Sequence, residues 1–224
     1  MLSIWDITTL TVSLALVATL VVLPPAVLLA WVLARREFPG KALVETIVSL
    51  PLVMPPVATG VILLYLVGRR SGFGRLLASV GVEVLFTWKA VVLAMAVMSL
   101  PLVVRTARAG FEQVSTRYED IAATLGAGPA RIFLTISLPL AWPGVLAGAV
   151  LGFSRAVGEF GATVMVAGAL PGRTRTLAVA IYTFTETGQD RTAAMLIGVS
   201  VAIAFAAVWT ANRIGRRPDG LEAG

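Results

Sequence analysis

The chain contains no cysteine and no histidine. Disulfides, thiolate metal sites, thiol nucleophiles and Ser-His-Asp chemistry are therefore excluded. Charge is scarce: 13% of the 224 residues are Asp, Glu, Lys or Arg, against about 25% in an ordinary soluble domain. No G-x-x-x-x-G-K-[ST] phosphate loop occurs, so the chain does not hydrolyse ATP through that motif. No low-complexity segment and no repeat with a period of about 20–50 residues is evident, which excludes a solenoid. What is abundant is apolar surface: 58% of residues are hydrophobic and the mean hydropathy is +0.90. Such a chain has lipid as its solvent. A net charge of +6 and a pI of about 10.7 would point to nucleic acid in a soluble protein. Here the basic residues lie between apolar runs, so membrane topology accounts for them and no nucleic-acid partner is expected.

A hydrocarbon core of about 30 Å takes about 20 helical residues to cross. Five runs predict helical spans at 10–34, 46–67, 89–108, 138–157 and 192–213. Backbone amides in hydrocarbon must bond within the segment, so runs of this length are helices. The third run is short, but the stems of Lys89 and Arg105 at its ends can snorkel. The whole reads as one membrane domain, 1–217, followed by a flexible tail, 218–224. The first run follows no Lys or Arg and is too long for the core of a cleavable signal, so it is read as a span. Its first cations, Arg35 and Arg36, come after it. That order places the N-terminus outside and, by alternation, residues 105–131 and the C-terminus in the cytoplasm. The arrangement puts ten Lys and Arg inside and eight outside, so the charge count adds little.

Prolines are expected to break or kink four of the spans: Pro24 and Pro25 in the first, Pro51, Pro55 and Pro56 in the second, Pro101 in the third, Pro139 and Pro143 in the fourth. The cluster at 50–56, with Gly60, reads as a broken helix beside a pathway. Arg155 and Glu159 lie four apart between apolar stretches and are expected to pair on one helix face. An ion at this depth marks either a salt bridge that pins a helix end or a contact for an anion in transit. Arg173 and Arg175 flank Thr174 in a Pro-Gly turn; with Arg69, Arg70 and Arg75 they either steer an anion or are solvated surface. Residues 176–186 are too short to span and read as a re-entrant or interfacial helix. The stripe Gly144-x-x-x-Gly148-x-x-x-Gly152 fits either a dimer face or packing within one subunit. A stand-alone secondary transporter or channel would need coupling ions inside the spans, and apart from Arg155 and Glu159 there are none. Paired intramembrane carboxylates are lacking too, which disfavours an enzyme, and no metal site is expected.

One segment is more specific. Residues 118–125 form a short helix with small residues on it; Gly126 and Gly128 then turn the chain, and Pro129 opens a second helix. This elbow resembles the EAA loop of permease subunits in bacterial ABC importers. That pattern has an acidic residue six positions before a glycine and Ile-x-Leu-Pro beginning ten after it; Asp120, Gly126, Ile136, Leu138 and Pro139 stand there. Ile121 replaces the first Ala and Ala122 keeps the second, while Glu119 beside Asp120 leaves open which carboxylate acts. Residues 49–57 with Gly68-Arg69-Arg70, together with 35–42, 158–163 and 171–176, look like the corresponding stretches of molybdate permeases; the last two are shared in part with sulfate and tungstate permeases. The resemblance covers about residues 10–215.

The resemblance implies an all-α integral membrane protein of the type I ABC importer permease fold, with about five proline-kinked spans and a cytoplasmic coupling elbow at 116–137. It implies coupling to an ATPase through Glu119, Asp120, Ala122, Ala123, Leu125, Gly126, Ala127 and Gly128. A pathway or outer gate would use Pro55, Pro56, Gly60, Arg155, Glu159, Thr163, Arg173 and Arg175. Two copies of the chain, two ATP-binding subunits and a periplasmic oxyanion-binding protein are implied, in the bacterial inner membrane. The chain itself would be no enzyme and carry no cofactor, ATP and magnesium residing on the partner. The implied cargo is molybdate or tungstate, with sulfate or thiosulfate as the alternative.

Overall fold

The computed structural model describes residues 3–215; the expected tail at 218–224, with Arg216 and Arg217, lies outside them. Eleven α-helices and one π-helical turn account for the fold among the described residues. The long ones are α1 (Ile4–Arg35), α5 (Trp88–Glu112), α8 (Leu138–Val157) and α11 (Asp190–Gly215). Between them lie α2 (Lys41–Val53), α3 (Pro56–Val67), α4 (Gly72–Ser79), α6 (Thr116–Thr124), α7 (Pro129–Ile132), the π turn Phe133–Ser137, α9 (Gly161–Ala167) and α10 (Leu177–Glu186).

Helix α5 is the centre. Ala90, Val91, Ala94, Met95, Met98 and Val103 are buried along it. Helix α1 packs on it through buried alanines at 15, 18, 26 and 30, and α8 packs on it through the glycine stripe. A Cβ on Gly144 would sit 2.6 Å from the Gly110 Cα, and one on Gly148 would sit 3.2 Å from the Val103 carbonyl. One on Gly152 would run into the Val103 side chain. The stripe therefore seals a seam within the subunit, which settles the choice left by the sequence against a dimer face. Helix α11 flanks α8 on the outside of the bundle.

The two Pro-Pro pairs behave differently. Pro24 and Pro25 do not break α1, contrary to the sequence expectation: they face outward while Val22, Ala26 and Val27 beside them are buried. Packing there holds the helix through the lost hydrogen bonds. Helix α2 has no buried residue to hold it. Met54 and Pro55, each followed by proline, take extended ψ angles of 147° and 130°, and α2 meets α3 at 114°. The span at 46–67 is thus two helices, with the break where the proline cluster at 50–56 placed it.

That broken pair still carries the chain across. Arg35, at the end of α1, donates from Nη2 to the Val114 carbonyl just past the end of α5 (2.8 Å). Both helices therefore finish at the same end of the bundle and run the same way. The chain must return between them, and α2 with α3 is the apolar segment that does so. Helix α8 begins at this shared end and runs back; α11 completes the bundle. With the broken pair taken as one span, five segments are long and apolar enough to cross.

The seam makes a sharp expectation. Gly144→Val should destabilise the purified protein by at least about 2 kcal/mol, because backbone stands where the new atoms go. Gly198→Ala, with nothing of this chain within 4 Å, should not. Thermal unfolding in detergent followed by size exclusion compares the two.

Candidate functional site

The elbow is built by local chemistry. Ser115 caps α6, its hydroxyl accepting from the Arg117 amide (3.4 Å). At the other end the Gly126 amide donates to the Ala123 carbonyl and the Ala127 amide to Ala122, both at 3.0 Å. This pair of bonds is a Schellman turn, and it needs the left-handed φ of +85° that Gly126 supplies. Gly128, at φ −71°, instead starts α7, with Pro129 in its first turn. The expected helix–turn–helix is present. Its second arm, however, does not stop at 137: α7, the π turn and α8 form one continuous apolar rod from Pro129 to Val157.

Glu119 and Asp120 part company. Asp120 is exposed, together with Ala123, Leu125, Gly126 and Gly128, while Ala122 and Ala127 are half-buried. Tyr118, Ile121 and Leu125 add exposed apolar surface, Leu125 at 82%. Glu119 turns inward. Its Oε1 accepts from Arg35 Nε at 2.9 Å and from the Ser137 hydroxyl at 2.8 Å. One carboxylate oxygen thus joins α1, α6 and the π turn. Around this junction Phe133 packs against Trp31, with ring centroids 5.1 Å apart, and against Phe111 at 6.2 Å. Sequence reasoning missed Arg35, Ser137 and the aromatic clasp as parts of the elbow. Their contacts join residues up to 84 positions apart, beyond any local pattern.

At the opposite end of α8 the expected gate residues come together. Gly60 on α3 lies against Ala162 and Met165 of α9, and Gly161 lies against Pro56 and Val57. The break between α2 and α3 therefore sits against the break between α8 and α9, and α3 and α9 run alongside each other in the same direction. Arg155 Nη1 meets Glu159 Oε2 at 2.8 Å, as expected, but not along one helix. α8 ends at Val157, and Glu159 lies in the break with its side chain 1% exposed. Its other oxygen accepts from the Ala162 amide at 2.8 Å, so the carboxylate also caps α9. Thr163 on α9 and Thr59 on α3 are buried with hydroxyls that have no partner among the described residues. Arg173 and Arg175 stand apart from this cluster. Thr174 between them is buried and donates to the Ala167 carbonyl (2.9 Å), which folds the turn back on α9. Arg175 reaches the Ala169 carbonyl at 3.3 Å, and Arg173 is exposed. Residues 176–186 form α10, whose first amide donates to Thr11 of α1 at 2.8 Å.

The split between the two carboxylates is testable. Glu119→Ala leaves Arg35, whose side chain is 9% exposed, without its counter-charge and should cost about 3–5 kcal/mol of stability. Asp120→Asn should leave the melting temperature within about 2 °C of wild type, since an exposed substitution is usually worth under ~0.5 kcal/mol. Thermal melts of the two purified variants read the difference.

The chain's relatives fit this architecture. Residues 26–217 match the family described as "Binding-protein-dependent transport system inner membrane component". The molybdenum transport system permease protein ModB of Escherichia coli (strain K12) is 44% identical over 214 residues, 95% of this chain and 93% of that protein. The sulfate transport system permease protein CysT of Salmonella typhimurium is 33% identical over 197 residues, 86% of this chain and 71% of that protein. Among solved structures, a bacterial alginate ABC transporter in complex with its alginate-bound periplasmic protein superposes with a TM-score of 0.69 at 17% identity, covering 95% of this chain and 78% of that one. The match across almost the whole chain, on a bundle with a solvent-facing elbow and paired helix breaks, means that the protein belongs to the binding-protein-dependent transport inner membrane components, the permease subunits of ABC importers.

Proposed function

We propose that this chain is the membrane-crossing subunit of an ATP-driven importer for a tetrahedral oxyanion, molybdate or tungstate. The observation that carries the reading is the elbow: small and apolar residues exposed on a rigid Schellman turn, continuous with a rod that spans the bundle. Two copies enclose the pathway. One ATP-binding subunit grips each elbow from the cytoplasm, through Asp120, Ala123, Leu125, Gly126 and Gly128 at its surface, with Glu119, Ala122 and Ala127 holding its shape. ATP and magnesium are bound by those partners. A periplasmic binding protein docks at the opposite face, where the N-terminus lies; the C-terminus is cytoplasmic.

The cycle is a rigid-body one. Closure of the ATPase pair draws the two elbows together and tilts α8 with its seam partner α5. The clustered breaks at Pro55, Pro56, Gly60, Glu159 and Thr163 then part at the far end and admit the anion. Arg155 holds Glu159 across the gap, and Arg173 and Arg175 lie where an arriving anion meets the outer turn. ATP hydrolysis returns the inward opening. The similarity to a sulfate permease supports sulfate as the competing cargo.

The experiment is ATP hydrolysis by the reconstituted complex with binding protein present. Molybdate or tungstate should stimulate it, and sulfate should compete poorly. Gly126→Val forces a β-branched residue to φ +85°, at a cost of about 1–2 kcal/mol. It should abolish the stimulation while the chain remains inserted. A wild-type complex that ignores molybdate and tungstate, or a Gly126→Val complex stimulated as wild type, overturns the proposal.

A further inference from the structure

A cavity of about 640 Å³ opens between α2 and α5 on the elbow side of the bundle. Its lining includes Glu45, Thr46, Ser49, Val53, Arg105 and Arg108. Glu45 lies near the start of α2, and Val53 is the last residue before the break, so the cavity runs along α2 to the point where the two breaks meet. The two arginines are held differently. Arg108 is paired with two carboxylates, Glu45 at 2.7 Å and Glu112 at 2.6 Å, a trio with one negative charge over. Arg105 has no carboxylate partner among the described residues; it donates from Nη2 to the Ser49 hydroxyl at 3.0 Å. It lies seven residues before the end of α5, about 10 Å inside the helix terminus. A cation there is costly in lipid and is tolerated beside a wet cavity.

The donors left over define the ligand. A guanidinium carries five N–H groups in a planar fork, and Arg105 uses one on Ser49. Ser49 accepts that bond and donates none of its own among the described residues, whereas the neighbouring Thr46 hydroxyl donates to the Ala42 carbonyl at 2.7 Å. Free N–H groups on an exposed cation and a free O–H beside it offer donors without acceptors. A tetrahedral oxyanion presents the reverse, acceptors only, and pairs with the fork through two oxygens at once. The carboxylates of Glu45 and Glu112 are both bonded to Arg108 and neither bonds Arg105, whose remaining donors stay open to a ligand. With Arg105 the four charges sum to zero, so a dianion is drawn by the local Arg105 and Ser49 donors and is not trapped by net charge, as a transit site requires.

We propose that Arg105 and Ser49 form an inner oxyanion site, the contact that a translocated dianion makes after passing the helix breaks. This rests on the importer reading above. The test titrates molybdate into the nucleotide-free permease–ATPase complex without binding protein, with phosphate as a second probe, and measures molybdate uptake by the full complex in proteoliposomes. Arg105→Gln should weaken molybdate binding and slow uptake, each about tenfold; Ser49→Ala should give a smaller loss. Arg105→Lys, which keeps the charge and loses the fork, should recover part of both and stands in should the Gln variant fail to assemble. Unchanged binding and uptake in the Arg105 variants overturns the site. Phosphate bound as well as molybdate, with uptake unaffected by Arg105→Gln, makes it a cytoplasmic anion site and overturns the transit role. Wild-type ATP hydrolysis that molybdate and tungstate fail to stimulate would sink the importer reading instead, independently of these variants.

Discussion

The bundle buries a cation where its first helix, its elbow and its π turn meet, and the Glu119 carboxylate makes that burial tolerable. Arg35 is held by Glu119 and by the Val114 carbonyl, and Ser137 closes the same oxygen from the other side. Desolvating a guanidinium is expensive unless a charge and further hydrogen bonds replace water. Each of these contacts comes from a different segment, so none can shift alone without uncovering the ion. The aromatic clasp of Trp31, Phe111 and Phe133 repeats the constraint in apolar form. The elbow is therefore fixed to the rods that cross the membrane, while its outer surface stays free for a partner.

Much of this was legible in the sequence, for reasons of scale. A span is a run of about 20 residues, and a Schellman turn is a glycine at a fixed offset from a helix end; both are local patterns. The five crossings, the elbow and the pairing of Arg155 with Glu159 follow from such patterns. What was illegible depends on contacts far apart in the chain. The proline pair at 24–25 carries the same local disruption as the pair at 55–56. Only the burial of Val22, Ala26 and Val27 separates a continuous helix from a broken one. The glycine stripe announced close packing but not its partner, since Gly110 lies 34 positions before Gly144. Glu119 and Asp120 are adjacent and chemically alike, and only their directions in the folded elbow separate them.

The same limit hid Arg105. In the linear chain it marks the end of an apolar run and looks like a flanking cation. In the bundle it faces Ser49 and lines a cavity, while its neighbour one turn on is paired with two carboxylates. Local charge order reads topology well, but it cannot tell a paired arginine from a free one.

The backbone contact of Gly110 with Gly144 has a mechanical consequence. At that point no side chain stands between α5 and α8 to absorb shear, so the pair moves as one beam. That beam is anchored near one end by the Glu119 junction and abuts the helix breaks at the other. For a lever of 20 residues, about 30 Å long, a tilt of about 10° at the anchored end displaces the far tip by roughly 5 Å, comparable to the diameter of a small hydrated ion's inner shell. Under the proposed cycle, a modest rotation at the elbow end becomes an aperture at the breaks, with no need for any helix to bend.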